Sequence, residues 1–198
     1  MTAGFAPFAA KMRAAGLPEI AIATFAHYYT QLGSGAAGTV AAADIDAVEE
    51  VPDLATLADF RDAGRAALGS AVVIKLNGGL GTTMGMTQAK SLLPVKRGLS
   101  FLDIIVRQTL HLRRLHGVRL PLVLMNSFRT REDSRTVLAR YPELATAIPV
   151  DFLQHKVPRI LATDLSPVSW PADPEHEWCP PGHGDIYAAL ETSGMLAT

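Results

Sequence analysis

The chain has 198 residues, of which 48% are hydrophobic and 19% charged, a composition typical of a folded globular protein. Its 18 basic and 19 acidic residues nearly cancel, so no nucleic-acid partner is indicated and any phosphate binding must depend on locally placed groups. The single cysteine, Cys179, excludes a disulfide framework and favours a cytoplasmic location. No stretch has the apolar length of a membrane span, and neither a signal peptide nor a membrane partner is expected.

The first third of the chain is predicted to be helical and shows no recognisable chemistry. Three helices are predicted there, over 5–16, 19–32 and 53–68. Four apolar side chains of the third helix are expected to face inward: Leu54, Leu57, Ala58 and Phe60. We delimit this part as an N-terminal helical region over 1–69.

From residue 70 onward the pattern alternates between strands and helices. Three buried strands are predicted over 71–76, 121–125 and 150–153. Ser100, Thr130 and Asp185 are expected to cap the helices that follow them. Alternation of this kind predicts an α/β layer fold with a largely parallel sheet. Ligands bind such sheets at the carboxyl ends of the strands, so the loops after 76, 125 and 153 are the candidate site.

The loop after the first strand carries four glycines within eight residues, and Lys90 follows the third of them by nine positions. Glycines let the backbone approach a ligand closely, and a lysine can place a charge beside phosphates. A dinucleotide-binding loop is excluded because Met84 stands where its third glycine is required. A P-loop is excluded because Met84 and Ala89 occupy both of its glycine positions. The loop therefore predicts nucleotide binding of another kind.

Four stretches in order resemble the eukaryotic-type UTP–glucose-1-phosphate uridylyltransferases. They are Leu76-Asn-Gly-Gly-Leu-Gly-Thr-Thr-Met-Gly with Lys90-Ser91, Pro121-Leu-Val-Leu-Met-Asn-Ser-Phe128 with Glu132-Asp133, Phe152-Leu-Gln154 with Pro158-Arg-Ile160, and Pro180-Pro-Gly-His-Gly-Asp-Ile-Tyr187 with Ser193-Gly194. The chain departs from the eukaryotic form at Thr87-Gln-Ala89, where that form has Lys-Gly-Pro. Lys90 is therefore the one lysine in this part of the loop.

The resemblance implies an α/β, Rossmann-like fold of the nucleotide-diphospho-sugar transferase (GT-A-like) type, with a mostly parallel sheet and flanking helices. Family members are more than twice this length and carry a C-terminal β-helical domain. Residues 70–198 are therefore expected to be the N-terminal part of the nucleotidyltransferase catalytic domain, with an incomplete sheet. The implied reaction forms UDP-glucose and pyrophosphate from UTP and glucose 1-phosphate, by in-line attack of the sugar phosphate on the α-phosphorus.

Mg²⁺ is the cofactor that the resemblance implies. The aspartate that would hold it is expected beyond Thr198, so the metal ligands within this chain are unknown. For the same reason we expect poor or no turnover from the chain alone. The sequence carries no signal from which an oligomeric state can be inferred.

The resemblance also assigns roles to particular residues. Four residues of the loop would approach the uracil and ribose through backbone groups: Leu76, Asn77, Gly78 and Gly79. Lys90 would contact the triphosphate and stabilise its charge as the catalytic residue, whereas Lys75 and Lys96 are expected to be solvated surface lysines. Gln154 would read the uracil edge, because an amide offers both a donor and an acceptor. Gly182 would let the backbone pass the base, and His183 would contact the sugar phosphate.

Three alternatives remain at this point. The first is a UDP-N-acetylhexosamine pyrophosphorylase, although the Asn77-Gly-Gly start and Gly-His-Gly-Asp185 favour the glucose enzyme. The second is a non-catalytic module that binds uridine nucleotides. The third is a kinase or NTPase, and the spacing around Lys90 argues against it.

Overall fold

The computed structural model describes residues 3–36 and 38–198. Six α-helices occur in these ranges: α1 (Ala6–Ala14), α2 (Glu19–Gly33), α3 (Arg61–Ala67), α4 (Phe101–His116), α5 (Arg131–Leu138) and α6 (Ile186–Thr192). Seven strands accompany them: β1 (Val73–Asn77), β2 (Pro94–Lys96), β3 (Leu99–Ser100), β4 (Leu122–Asn126), β5 (Asp151–Leu153), β6 (Val157–Pro158) and β7 (Trp178–Cys179). In the described part of the chain, no helix combines the length and the apolar character that crossing a membrane requires.

The main sheet is parallel throughout and has the order β1-β4-β5, which confirms the predicted α/β class. Asn77 lies opposite Asn126, and Asn126 lies opposite Leu153. The carboxyl ends of all three strands therefore meet at one edge, where the loops singled out by the sequence come together. Two short antiparallel pairs, β2-β3 and β6-β7, lie outside this sheet.

The central strand β4 is fully buried because helices cover both faces of the sheet. Its side chains alternate, as those of any strand do. Leu122 and Leu124 pack in the cluster that includes Val106 of α4. Val123 and Met125 pack in a second cluster with Ala189 of α6. This two-sided burial explains why β4 has a continuous apolar sequence.

The three predicted helix caps have different outcomes. Ser100 and Asp103 form the expected capping box at the start of α4. The Thr130 side chain does not cap α5, and the Asp185 side chain does not cap α6. Both predictions are wrong for the same physical reason, since each polar side chain bonds to a different strand end and is not free for its own helix.

The N-terminal helices α1 and α2 pack against the α/β part of the chain. Their aromatic cluster, which includes Phe8 and Tyr29, also contains Trp178 of β7. Lys11 of α1 forms an ion pair with Glu177 and lies over the Trp178 ring. The boundary at residue 69 stays a prediction, but α1 and α2 share a hydrophobic core with the segment before Cys179.

The third predicted helix differs most from expectation. Leu54–Phe60 forms a 3₁₀ helix, and only α3 is α-helical. Leu54, Leu57 and Phe60 are 84%, 40% and 66% exposed, so their predicted inward orientation is wrong. The side chain of Ala58 lies outside the described residues. Periodicity predicts a buried face only where another surface packs against it, and no apolar cluster of the described chain includes these residues.

Candidate functional site

The glycine-rich loop folds back on itself as an irregular hairpin. Leu80 and Ala89 form an antiparallel bridge. The Lys90 backbone N–H donates to the Gly79 carbonyl at 2.9 Å, and that of Gly81 donates to the Gln88 carbonyl at 3.2 Å. The hairpin thus returns Lys90 to the end of β1, which explains how a lysine so distant in sequence can serve the same site as the first glycines.

A buried polar network holds the base of this hairpin. The Ser91 hydroxyl donates to Asn77 Oδ1 at 2.5 Å. Asn77 Nδ2 donates to Asn126 Oδ1 and to the Ser134 hydroxyl, each at 2.7 Å. The Thr130 hydroxyl donates to the Asn77 carbonyl at 2.7 Å, which is the contact that replaces its predicted cap. Asn77 therefore joins both strand ends to the turn that carries Lys90, and its side chain faces this network.

Gly78 lies in close contact with the Gln154 side chain. A Cβ on Gly78 would lie 2.4 Å from Gln154 Nε2 and 2.8 Å from its Cδ, distances that no real contact tolerates. A Cβ on Gly79, in contrast, would meet nothing within 4 Å. A side chain at Gly78 would therefore displace the buried Gln154 amide, whereas there is open space beside Gly79.

A cleft of about 390 Å³ opens between the glycine loop and β7. It brings together residues that the sequence singled out in three distant segments: Gly78, Gly79, Gln154, Gly182 and His183. Gln154 is only 5% exposed, and its Oε1 is buried without a hydrogen-bond partner among the described residues. Because buried acceptors are nearly always paired, this oxygen marks the place where a ligand could supply a donor.

A second cleft, of about 550 Å³, adjoins the first and shares Gly79 and His183 with it. Leu76, Asn77 and Lys90 line it. Lys90 is exposed there. All eight residues that the sequence assigned to the site thus line two clefts with a common boundary.

Lys75 and Lys96 differ from each other. Lys75 also lines the second cleft, where its ammonium donates to the Leu76 carbonyl at 2.5 Å, so its prediction as a solvated surface lysine is wrong. The physical reason is that Lys75 is half-buried in β1 and its ammonium stays close to the backbone. Lys96 is exposed on β2, as expected.

The segment from Gly182 to Asp185 reaches both clefts through His183, and Gly182 lines the first. Gly182 has φ 112° and ψ 177°, a conformation that only glycine adopts readily. His183 begins a 3₁₀ turn over His183–Asp185 and is exposed. The Asp185 carboxylate accepts from the His155 backbone N–H at 2.7 Å and pairs with His155 Nδ1 at 2.8 Å. This contact replaces the predicted cap and ties the segment to the residue after Gln154.

The sequence did not assign a role to several other residues that line the first cleft, among them Arg129, Arg159 and Trp178. Arg159 lies within the Pro158-Arg-Ile160 stretch, so its charge in that motif was the available signal. Arg129 directly follows the stretch that ends at Phe128. Within 3–36 and 38–198, neither arginine nor Lys90 pairs with a carboxylate. The clefts therefore present unpaired positive charge, which suits an anionic ligand.

Cys179 is next to the cleft but has the properties of an inert thiol. Burial raises the pKa of the Cys179 thiol, and Arg159 and Arg129 oppose this more weakly. The thiol contacts the Val157 carbonyl at 3.7 Å. A raised pKa disfavours the thiolate, which is the nucleophilic form.

The described residues contain no group of three or more His, Cys, Asp or Glu side chains that could hold a metal ion. The donor set for the expected Mg²⁺ is thus not assembled in this part of the chain. Its ligands stay unassigned.

A parallel α/β sheet with a glycine-rich hairpin and two joined, cationic clefts at its strand ends defines a Rossmann-like α/β protein with a candidate ligand site at the carboxyl ends of its strands. The sequence profile of the UTP–glucose-1-phosphate uridylyltransferases matches residues 22–198. The chain belongs to this family.

Individual relatives agree with this assignment. The UTP–glucose-1-phosphate uridylyltransferase of Hordeum vulgare is 44% identical over 138 residues, which are 69% of this chain and 29% of the relative. That of Solanum tuberosum is 41% identical over 144 residues, which are 72% of this chain and 30% of the relative. This chain thus spans about 30% of the length of such relatives.

Solved structures show the same similarity over the whole chain. A mutant UDP-glucose pyrophosphorylase from Leishmania major, crystallised in complex with UDP-glucose, is 40% identical and superposes with a TM-score of 0.89. The match covers 100% of this chain and 41% of that one. A UDP-glucose phosphorylase from Trypanosoma brucei is 38% identical, with a TM-score of 0.84 over 99% of this chain and 40% of that one. The predicted family and fold are therefore confirmed.

Proposed function

We propose that this chain binds the uridine nucleotide and the sugar phosphate for a UTP–glucose-1-phosphate uridylyltransferase reaction. The observation that carries the proposal is the unpaired amide oxygen of Gln154, buried beside Gly78 in a cleft that leads past Gly79 and His183 to Lys90. The substrates are UTP and glucose 1-phosphate, and the products are UDP-glucose and pyrophosphate. Family membership and the UDP-glucose complex of the L. major relative support this choice.

Gln154 supplies the base selectivity in this proposal. The uracil edge offers an N–H donor between two carbonyl acceptors, so the Gln154 Oε1 can accept from the ring N–H while Nε2 donates to a carbonyl. Cytosine presents an acceptor where uracil presents the donor, which would leave the buried oxygen unpaired. An unpaired buried group costs about 1–3 kcal/mol, which is enough for a clear preference between the two bases.

Lys90 acts on the phosphates in the adjoining cleft. The reaction is an in-line displacement, in which an oxygen of the sugar phosphate attacks the α-phosphorus and pyrophosphate departs. Positioning and charge stabilisation contribute most to catalysis of this type. A lysine ammonium on a flexible stem can follow the phosphates as charge moves towards the leaving group. The unpaired Arg129 and Arg159 add to the positive potential of the nucleotide cleft.

His183 contacts the sugar phosphate in this proposal. It lies at the boundary of the two clefts, so a group bound there touches both the base side and the phosphate side. The Gly182 backbone, in its positive-φ conformation, leads directly into the turn that carries this histidine. Leu76, Asn77, Gly78 and Gly79 supply the backbone wall opposite.

Two further elements of the proposal come from the resemblance and from composition. Mg²⁺ is the proposed cofactor, although no donor set for it is assembled in the described residues and no step is assigned to it. A cytoplasmic location is proposed because the one cysteine is a free, half-buried thiol.

Calorimetric titration of the chain with UDP-glucose tests the proposal, with UDP-N-acetylglucosamine as the comparison ligand. We expect saturable binding of UDP-glucose, stronger than that of the N-acetylated sugar. Absence of UDP-glucose binding would contradict the proposal. Pyrophosphate release from UTP and glucose 1-phosphate should be slow or undetectable with this chain, and turnover at normal enzyme rates would refute that expectation.

A further inference from the structure

A single carboxylate joins the two halves of the proposed site. Asp185 Oδ2 accepts from the His155 backbone N–H at 2.7 Å, and Oδ1 pairs with His155 Nδ1 at 2.8 Å. Both side chains are 9% exposed, so the contact is shielded from water. Its partners are 30 residues apart in the chain, and the contact therefore fixes one segment against another.

Each partner is adjacent to a residue of the proposed site. His155 directly follows Gln154, whose own N–H donates to the Asn126 carbonyl at 2.8 Å at the end of β4. Asp185 ends the 3₁₀ turn that His183 begins. A shift of the Asp185 segment would therefore move His183 relative to Gln154. The pair sets the distance between the base side and the sugar side of the cleft.

The His155 ring extends this connection to α6. Its Nε2 lies 3.0 Å from the Thr192 hydroxyl, whose single proton can go either to that nitrogen or to the Ala188 carbonyl at 2.9 Å. The ring is thus held at both nitrogens. The turn that carries His183 and the helix that follows it are both attached to one imidazole beside Gln154.

We propose that Asp185 is a positioning residue that couples uracil recognition at Gln154 to sugar-phosphate contact at His183, acting through His155. Asp185 lines neither cleft. This inference rests on the proposed function and deepens it. The two groups that Asp185 binds, a backbone N–H and the ring Nδ1, can be hydrogen-bond donors at the same time. A carboxylate is required because it can accept from both of them and, unlike an amide, carries no donor of its own.

The test uses Asp185→Asn, in which one of the two acceptors becomes an NH₂ group, so an Nδ1–H of His155 loses its acceptor or the ring must change tautomer. Affinities of the chain for UDP, CDP and UDP-glucose are measured by calorimetry. We expect the preference for UDP over CDP, and the gain from UDP to UDP-glucose, each to fall by about fivefold or more, a typical coupling between sites. A merely structural loss would reduce the number of binding-competent molecules and leave both ratios unchanged.

The matched control is Asp173→Asn. Asp173 also pairs with a histidine, His176, at 2.6 Å, but that pair is exposed and outside both clefts. We expect this variant to keep both ratios. Wild-type ratios in Asp185→Asn would overturn the inference. No UDP binding by the wild-type chain would instead overturn the proposed function and this inference with it, so the two failures are distinguishable.

Rescue at His155 keeps the test decisive if Asp185→Asn does not fold. An asparagine amide can place its nitrogen near the position of Nδ1, whereas leucine cannot donate at all. His155→Asn is expected to retain most of the UDP preference and His155→Leu to lose it. A double-mutant cycle adds a second criterion, because Asp185→Asn should not alter the UDP-to-CDP ratio further once Gln154→Ala has removed the base contact. Independent, additive effects would contradict coupling through Gln154.

Discussion

Ser91 donates its hydroxyl to the Asn77 side chain at 2.5 Å, and both residues are buried. The bond spans 14 residues and joins the end of β1 to the position after Lys90. Asn77 is held in turn by Asn126 and Ser134. The ammonium that the proposal places at the phosphates therefore extends from a backbone that is anchored to the sheet.

Ser91→Ala is the direct test of this anchor. The change leaves Asn77 Oδ1 without its donor in a buried place, which should lower the free energy of unfolding by about 1–3 kcal/mol. It should also weaken UTP binding, because the turn that carries Lys90 loses its attachment. Urea unfolding and calorimetry measure the two effects.

The control for this variant is Ser34→Ala. Ser34 is exposed and its hydroxyl bonds to the Gln31 carbonyl at 2.8 Å, so stability should change by no more than about 0.5 kcal/mol. Wild-type stability and UTP affinity in Ser91→Ala would show that the buried bond does not support the loop.

Gly78→Ala and Gly79→Ala should behave differently although the residues are neighbours. A Cβ on Gly78 overlaps the Gln154 amide at 2.4 Å, so this variant should lose about 1–3 kcal/mol of stability and its uracil preference together. A Cβ on Gly79 meets nothing within 4 Å, so the protein should fold normally. Its nucleotide affinity should still fall, because the methyl group occupies the boundary of the two clefts. Unchanged affinity in Gly79→Ala would mean that no ligand approaches this backbone.

Lys90→Met should weaken nucleotide binding without affecting stability, since the side chain is exposed. We expect about a tenfold loss of UTP affinity and a smaller loss for UMP, which has fewer phosphates near the ammonium. Lys96→Met is the matched control, because Lys96 is also exposed but lies outside both clefts. Equal effects of Lys90→Met on UTP and UMP would argue against a role at the phosphates.

The parallel sheet and most of the candidate site could be predicted from the sequence because their signals are local. The continuous apolar run of β4 reflects burial on both faces, and the Ser100–Asp103 capping box lies within one turn. The glycine spacing excluded the two common phosphate loops before any fold was known. Topology then brought the strand ends together without further information.

The contacts that could not be predicted are long-range. Thr130 and Asp185 each have the sequence signature of a helix cap. In the structure the Thr130 side chain instead hydrogen-bonds to Asn77, and the Asp185 side chain to His155, partners that lie nearby only in the folded chain. The spacing of Leu54, Leu57 and Phe60 is that of an amphipathic helix, and these side chains are exposed. Local propensity does not specify which surface a segment meets.

Asp103 predicts a dependence of stability on pH. Burial raises the pKa of Asp103, but bonds from Ser100 and Tyr141 and the charge of Arg140 together outweigh it and hold that pKa below its ordinary value of 3.8. The ionised carboxylate is therefore stabilising at higher pH, and this contribution is lost as the pH falls through the lowered pKa.

Asp103→Asn should consequently be less stable than wild type by about 1–3 kcal/mol near neutral pH. The difference should shrink in acid below 3.8, where the wild-type carboxylate also becomes protonated. Urea unfolding at several pH values measures it, with the exposed Asp46→Asn as the control for a lost charge. A difference that is constant with pH would contradict the role assigned to ionised Asp103.

The most direct test of the central claim is a crystal structure of the chain with UDP-glucose bound. We predict that the uracil lies at hydrogen-bond distance, about 2.7–3.2 Å, from both polar atoms of the Gln154 amide. The phosphates should approach Lys90 and the glucose side should contact His183. A nucleotide bound away from Gln154, for example in the separate cleft beside Asp103 and Arg140, would contradict the account.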